Sequence, residues 1–354
     1  MSVTRGRGSP GNQTSQRFNL PERAADGDWL DVAQDVDGEP PRLRTSVTVE
    51  QPRTIISRNT SPDIGFNQSV NAYRGCEHGC IYCFARPSHA RYDLSPGLDF
   101  ESRLIAKPDA ATLLRKELGK ASYRVQTIAM GTNTDPYQPI EAEWRITRDC
   151  IEVLADCHHP LLITTKSDRV LRDIDLLSRM AAEGLVMVAI SLTTLDPVLA
   201  RKMEPRTTHP ARRVAAIRAL REAGVPVHAC ISPIIPAIND HEIEALVAAA
   251  ADAGALSVSN IPVRLPLEVA PLFRAWLDDH FPDRAARVMH IIQSIRGGRD
   301  NDPNFGSRMK GQGPYAALIR TRMDKARRRH GLKGGRITLR HDLFVPPSDQ
   351  LRLF

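Results

Sequence analysis

Six short runs rich in Val, Ile, Leu and Thr, at 69–73, 125–131, 161–165, 185–191, 227–232 and 257–264, alternate with five amphipathic stretches at 110–118, 147–155, 168–182, 211–223 and 240–253. Strand-length runs and helix-length periods that alternate in this way are the pattern of βα units, because parallel strands need a crossover and a helix usually supplies it. Gly184, Gly224 and Gly254 stand where three of the helices should stop, and Asn239 where another should start. The expected fold class is therefore α/β with a parallel sheet. In such a fold the working residues stand at the C-terminal ends of the strands.

The first run leads directly into Asn71-Ala72-Tyr73-Arg74-Gly75-Cys76-Glu77-His78-Gly79-Cys80-Ile81-Tyr82-Cys83. Cys76, Cys80 and Cys83 have C-x3-C-x2-C spacing. Three thiolates on one short loop can hold three irons of a 4Fe-4S cluster and leave the fourth iron open to a small molecule, since such clusters ordinarily take four cysteines. The competing chemistry is zinc with His78 or His89 as fourth ligand, which would make the chain a zinc-stabilised nucleic-acid-binding module. No second C-x2-C or H-x3-H pair occurs in the sequence.

A chain of 354 residues with 42% apolar content can bury a sizeable core. Cys150, Cys157 and Cys230 are scattered, so the six cysteines do not form a disulfide framework, and a reducing cytoplasm is expected. No apolar run is long enough to cross a membrane and no signal peptide is recognisable, so no membrane partner is expected. The net charge is +7, and positions 320–340 concentrate nine Lys/Arg against one acid, Asp324. Such a run either attracts phosphate backbones or is a solvated helix face. Residues 1–50 are polar and read as a disordered segment. Within them Gly6-Arg7-Gly8-Ser9-Pro10-Gly11 fits G-x-G-x-x-G, but no strand precedes it and Pro10 sits inside the turn, so it is not read as a nucleotide site. Further amphipathic helices are expected at 269–281 and 283–296.

The cysteine spacing, with Tyr82 before the third cysteine, resembles the signature of the radical S-adenosylmethionine (SAM) superfamily, in which the open iron chelates SAM. The string Ala129-Met130-Gly131-Thr132-Asn133-Thr134-Asp135-Pro136-Tyr137-Gln138-Pro139-Ile140-Glu141, with Ile163-Thr164-Thr165-Lys166-Ser167-Asp168, Glu204-Pro205-Arg206 and Ser232-Pro233-Ile234-Ile235-Pro236, resembles its spore photoproduct lyase branch, often labelled DNA repair photolyase-like. The stretch 74–100 looks like an uncharacterised subfamily beside the lyases. The resemblance covers 55–265 and implies a partial (β/α)6 TIM barrel; beyond it the residues themselves read as a helical and basic extension at 266–340 and a flexible tail at 341–354.

The same resemblance implies an enzyme that cleaves SAM reductively to a 5'-deoxyadenosyl radical for hydrogen abstraction. It also implies a low-potential electron donor of ferredoxin or flavodoxin type. The substrate it suggests is nucleic acid, with RNA, a peptide or a small molecule as alternatives. The carried-over SAM contacts are Tyr82 against the adenine, Lys166 on the carboxylate, and Thr134 and Ser191 as hydrogen-bond partners, with Arg206 on SAM or substrate. The lyases' hydrogen-donor cysteine falls near Thr132, so Cys230 is the candidate catalytic thiol here. Gln350-Leu351-Arg352-Leu353-Phe354 resembles the Q-L-x-L-F motif that binds the replication sliding clamp, with Gln350, Leu351, Leu353 and Phe354 at the matching positions.

Overall fold

The computed structural model describes residues 7–18, 43–332 and 337–347. The clamp-like residues Gln350, Leu351, Leu353 and Phe354 lie outside the described residues. Among the described residues ten strands are formed: β1 (Ser46–Val49), β2 (Ile56–Arg58), β3 (Gln68–Val70), β4 (Tyr73–Arg74), β5 (Arg103–Ala106), β6 (Ile128–Met130), β7 (Leu161–Thr165), β8 (Val186–Ser191), β9 (Val227–Ile234) and β10 (Ser257–Pro262). The main sheet runs β10-β9-β8-β7-β6-β3-β2. Its six strands from β3 to β10 are parallel, and β2 is added antiparallel to β3 at one edge. The sheet is therefore an open arc, as a partial barrel requires.

Each expected strand has a counterpart, but the first is divided. The sequence pattern makes 69–73 a single strand, whereas β3 joins the arc and β4 turns off to pair with β5 in a second sheet of order β1-β5-β4. Strands β1, β2 and β4 are short and mostly exposed or interrupted, so they carry no periodic signal. The reading of 1–50 as disordered is corrected for 7–18 and 43–49. Arg7, Ser9 and Ser15 are buried, and β1 pairs with β5. Composition does not reveal this because the partners of Arg7 and Ser9 lie 94 and 92 residues away in sequence and that of Ser15 lies 253 away.

Apolar packing divides into two main bodies. The larger lies between the arc and its outer helices and includes Ile163, Val188, Ala229, Leu177 and Leu246. Helix Gly313–Arg329 joins it through Ile319, Met323 and Ala326, which leaves Arg320, Lys325, Arg328 and Arg329 facing solvent. The smaller body brings Cys80, Ile81 and Tyr82 against Phe273, Trp276 and Leu277 of helix Val269–His280 and against Val288 and Ile292 of helix Pro282–Ile295. The C-terminal helices thus cover the cysteine loop, and the Trp276 indole N–H donates to the Lys202 carbonyl at 3.0 Å.

Candidate active site

The cysteine loop begins where β4 ends. Turns close from Gly79 N–H to the Cys76 carbonyl and from Cys83 N–H to the Cys80 carbonyl, at 3.4 and 3.2 Å. Gly79 takes φ +67°, and a Cβ there would lie 2.7 Å from Glu101 Oε2, so both its backbone and its space call for glycine. The loop is tied to its surroundings by Cys76 N–H to Phe100 O at 2.9 Å and by Ile81 N–H to Met203 O at 3.1 Å. Cys76 and Cys80 are buried, Cys83 is half-buried, and all three are free thiols.

Side chains from the ends of β6, β7 and β8 converge on this loop. Asp135, after β6, accepts from Thr165 Oγ1 at 2.7 Å and from Lys166 N–H at 2.8 Å, and its Oδ2 lies 3.3 Å from His78 Nδ1. Burial alone would raise this carboxyl, but His78 and the donated hydrogen bonds bring it down to about 2. Glu204, after β8, accepts from Tyr82 Oη, from Thr193 Oγ1 at 2.5 Å and from Arg213 at 2.5 Å. Burial opposes its charge as well, and Arg213, Lys166 and the hydroxyl donors hold it near 2. Lys166, at the end of β7, is half-buried with Nζ 6.0 Å from the Tyr82 ring centre. Burial lowers its pKa, yet Cys80 and Glu204 outweigh that and leave it above the usual lysine value. A positive charge is therefore held beside Cys80.

Thr134 and Arg206, read from sequence as SAM contacts, have immediate partners in the loop. The Thr134 hydroxyl donates to Gly75 O at 2.6 Å and accepts from Gln138 at 2.9 Å, while Arg206 pairs with Glu77 at 3.1 Å. Ser191 is buried at the end of β8, in register with Cys230 on β9. Val227, Ala229 and Ile231 of β9 point into the core, so the alternating His228, Cys230 and Ser232 face the inside of the arc. Thr132 exchanges hydrogen bonds with Asn71. Asp135, Glu204, Arg213 and Gln138 are not singled out by the sequence. Asp135 and Gln138 stand inside the polar string after β6, and that unusual polarity is the available signal.

The donor set, three free thiols on one loop, suits an iron–sulfur cluster. His78 Nδ1 faces Asp135, and His89 Nε2 is 2.9 Å from Arg103 O while its Nδ1 is buried without a partner. Among the described residues no three His, Cys, Asp or Glu are gathered to hold a metal ion, whereas the thiolates of a four-iron cluster sit on separate irons. Burial pushes the Cys76 thiol well up and the Cys80 thiol up to about 12. Thiolate ligation of a metal by these residues would release protons, and Lys166 would help to offset the thiolate charge.

A sequence model of the radical SAM superfamily matches residues 70–250. The chain belongs to the radical SAM superfamily. It is an enzyme of that superfamily, whose members use a 4Fe-4S cluster with SAM and need a reductant. An uncharacterized protein of Mycobacterium tuberculosis is 39% identical over 230 residues, covering 64% of this chain and 68% of that one. One from Methanocaldococcus jannaschii is 31% identical over 178 residues, covering 50% and 64%. Spore photoproduct lyase complexed with dinucleoside spore photoproduct has a similar fold, with TM-score 0.57 and 14% identity over 89% of this chain and 85% of that one. A variant of that lyase with bound AdoMet and dinucleoside spore photoproduct gives TM-score 0.55, 13% identity and the same coverage. Among the described residues no helix is long and apolar enough to cross a membrane.

Proposed function

We propose that Cys76, Cys80 and Cys83 hold the cluster, that Lys166 and Ser191 meet SAM inside the arc, and that the substrate is nucleic acid, DNA first. The observation that carries the cofactor assignment is the convergence of the three-cysteine loop, Lys166 and the Tyr82–Glu204–Arg213 network at the C-terminal ends of β7 and β8. When bound and reduced, the cluster with SAM on its open iron supplies the one-electron cleavage that yields a 5'-deoxyadenosyl radical. The chain's own part is to orient and to exclude water. Lys166 offers a cation to the SAM carboxylate, Ser191 offers a hydroxyl, and Tyr82 turns its hydroxyl away to Glu204 and leaves its backbone for the adenine. Thr134 holds the loop through Gly75, and Arg206 steadies it through Glu77. Cys230, half-buried on the inner face, is the thiol placed to return a hydrogen atom to a product radical.

Support for nucleic acid comes from charge. A cleft of about 450 Å³ beside His78 is bordered by Arg169, Arg206 and Arg212, and the outer helix shows Arg320, Lys325, Arg328 and Arg329 to solvent. The lyase of similar fold is complexed with a dinucleoside spore photoproduct, and that likeness points the same way. The six free cysteines suit a reducing cytoplasm, where a ferredoxin or flavodoxin would be the donor and the Gln350–Phe354 tail would meet the sliding clamp.

The test is 5'-deoxyadenosine formation by anaerobically reconstituted protein with SAM and dithionite. Turnover that disappears in Cys80→Ala is expected, and no product from a protein carrying a full cluster would defeat the assignment. DNA binding is then measured against salt. Alanine at Arg320, Lys325 and Arg328 should flatten the log–log salt slope by about one for each phosphate left unneutralised. Salt-independent binding, or none, would turn the search to peptides and small molecules. A clamp pull-down with and without residues 350–354 checks the tail.

A further inference from the structure

The glycine-containing segment at the N-terminal side, which fails as a nucleotide pattern, does bind an anion, and that anion belongs to the protein. Gly8 and Ser9 donate their N–H groups to the two oxygens of Glu101 at 2.9 and 2.8 Å. Arg7 donates to the Glu101 carbonyl at 2.6 Å and to the Leu43 carbonyl at 2.7 Å. Glu101 pairs in turn with Arg86 at 2.5 Å, and neither side chain has any exposed surface. The rest of the Arg86 fork is spent on backbone carbonyls: Cys80 at 2.9 Å, Gly79 at 3.1 Å, Gly97 at 3.0 Å and Pro96 at 3.1 Å. A guanidinium presents its donors in a rigid plane, so the orientation of Arg86 fixes the position of the turn that carries Cys80.

The segment also seals. A Cβ at Gly8 would lie 1.8 Å from the Gly79 carbonyl oxygen, a backbone-to-backbone approach that leaves no room for water. Farther along, Asn12 and Asp99 exchange two hydrogen bonds of 2.9 Å, and Ser95 Oγ donates to Gln13 O at 2.5 Å. Ser15 and Arg17 then reach Glu268, next to helix Val269–His280. The segment thus runs from the outside of the cysteine loop to the helices that cover its other side.

We propose that residues 7–17 form a strap which, through the positioning residues Glu101 and Arg86, sets the cysteine loop and closes its outer side to solvent. This rests on the assignment of the cluster to Cys76, Cys80 and Cys83. Solvent exposure and the hydrogen bonds that orient the ligands govern both the potential and the retention of a cluster, so the strap acts on each.

The test uses the full chain, reconstituted anaerobically with iron and sulfide, as wild type, Gly8→Ala, Glu101→Gln and Arg86→Lys. Three quantities are measured: the midpoint potential from an EPR redox titration, the rate of iron loss to a ferrous chelator, and thermal unfolding of the apo-protein. Gly8→Ala should lose iron about 10–100-fold faster and shift the midpoint while its apo-protein stays folded, with a lowered unfolding temperature. Arg86→Lys keeps the charge without the fork and should shift the midpoint in the same direction. Wild-type potential and iron loss in Gly8→Ala would overturn the strap, and that variant decides alone if the buried substitutions do not fold. A wild type that takes up no iron and sulfide would instead remove the cluster assignment, and the strap's role would fall with it.

Discussion

Along the arc, Ile163, Val188 and Ala229 sit in continuous ladders and are buried among apolar neighbours, so each is held by many weak contacts of one kind. Across the cysteine loop the holding contacts are few and specific. Thr134 bonds Gly75 O, Glu77 accepts from Thr45 and Ile140 N–H, and Asp135 gathers Thr165 and Lys166. Contacts of the first kind tolerate substitution of one apolar group for another. Those of the second fail when a single donor is removed, because the group left behind is buried and unsatisfied. A loop that must present three thiols in fixed positions is built from the less forgiving kind.

Removing Arg213 should separate the two regions most sharply. Arg213→Met leaves the Glu204 carboxylate buried without its cation, and a broken buried pair of this type costs about 3–5 kcal/mol. Urea unfolding should show that loss together with reduced iron retention, and full retention would break the comparison. Ile163→Ala should cost about 2–5 kcal/mol by unfolding, with the iron content of the folded fraction unchanged. Loss of iron there would mean that wall and loop are one unit. Thr134→Val removes the hydroxyl that donates to Gly75 O and accepts from Gln138, a cost of about 1–3 kcal/mol, and faster chelation of iron is the expected sign.

Per pH unit, the smallest effect belongs to the wall. His159 is fully buried, and burial lowers its pKa to about 4. The unfolded chain then binds more protons between that value and the ordinary histidine pKa, so stability falls as pH drops through this window. The slope is at most about 1.4 kcal/mol per pH unit. Apo-protein His159→Gln should flatten the slope, and an unchanged slope would place the proton elsewhere.

The same contrast accounts for what is legible in the chain. Strands β7, β8 and β9 are legible because burial of alternating or continuous apolar residues writes a period into the sequence. The three cysteines are legible because all lie within one loop. Their supports are not, since Thr134 is 59 residues from Gly75 and Glu101 is 93 from Gly8, and no local period encodes such pairs. The polar segment at 7–18 looks disordered in sequence for the same reason: its acceptor, Glu101, belongs to a different part of the chain.

The open arc has two unlike edges, β2 and β10, and what spans them is made of side chains. Arg308 pairs with Asp63 at 2.6 Å, in the connection between β2 and β3, and Gly306 N–H donates to the same carboxylate. Arg264, just past β10, reaches Met309 at 3.3 Å. A strand ladder parts cooperatively, while a fastening of this sort parts one bond at a time. The molecule therefore has a seam as well as a wall, and hydrogen–deuterium exchange should find its weakest line there, with the two edges of the sheet parting before any helix unwinds.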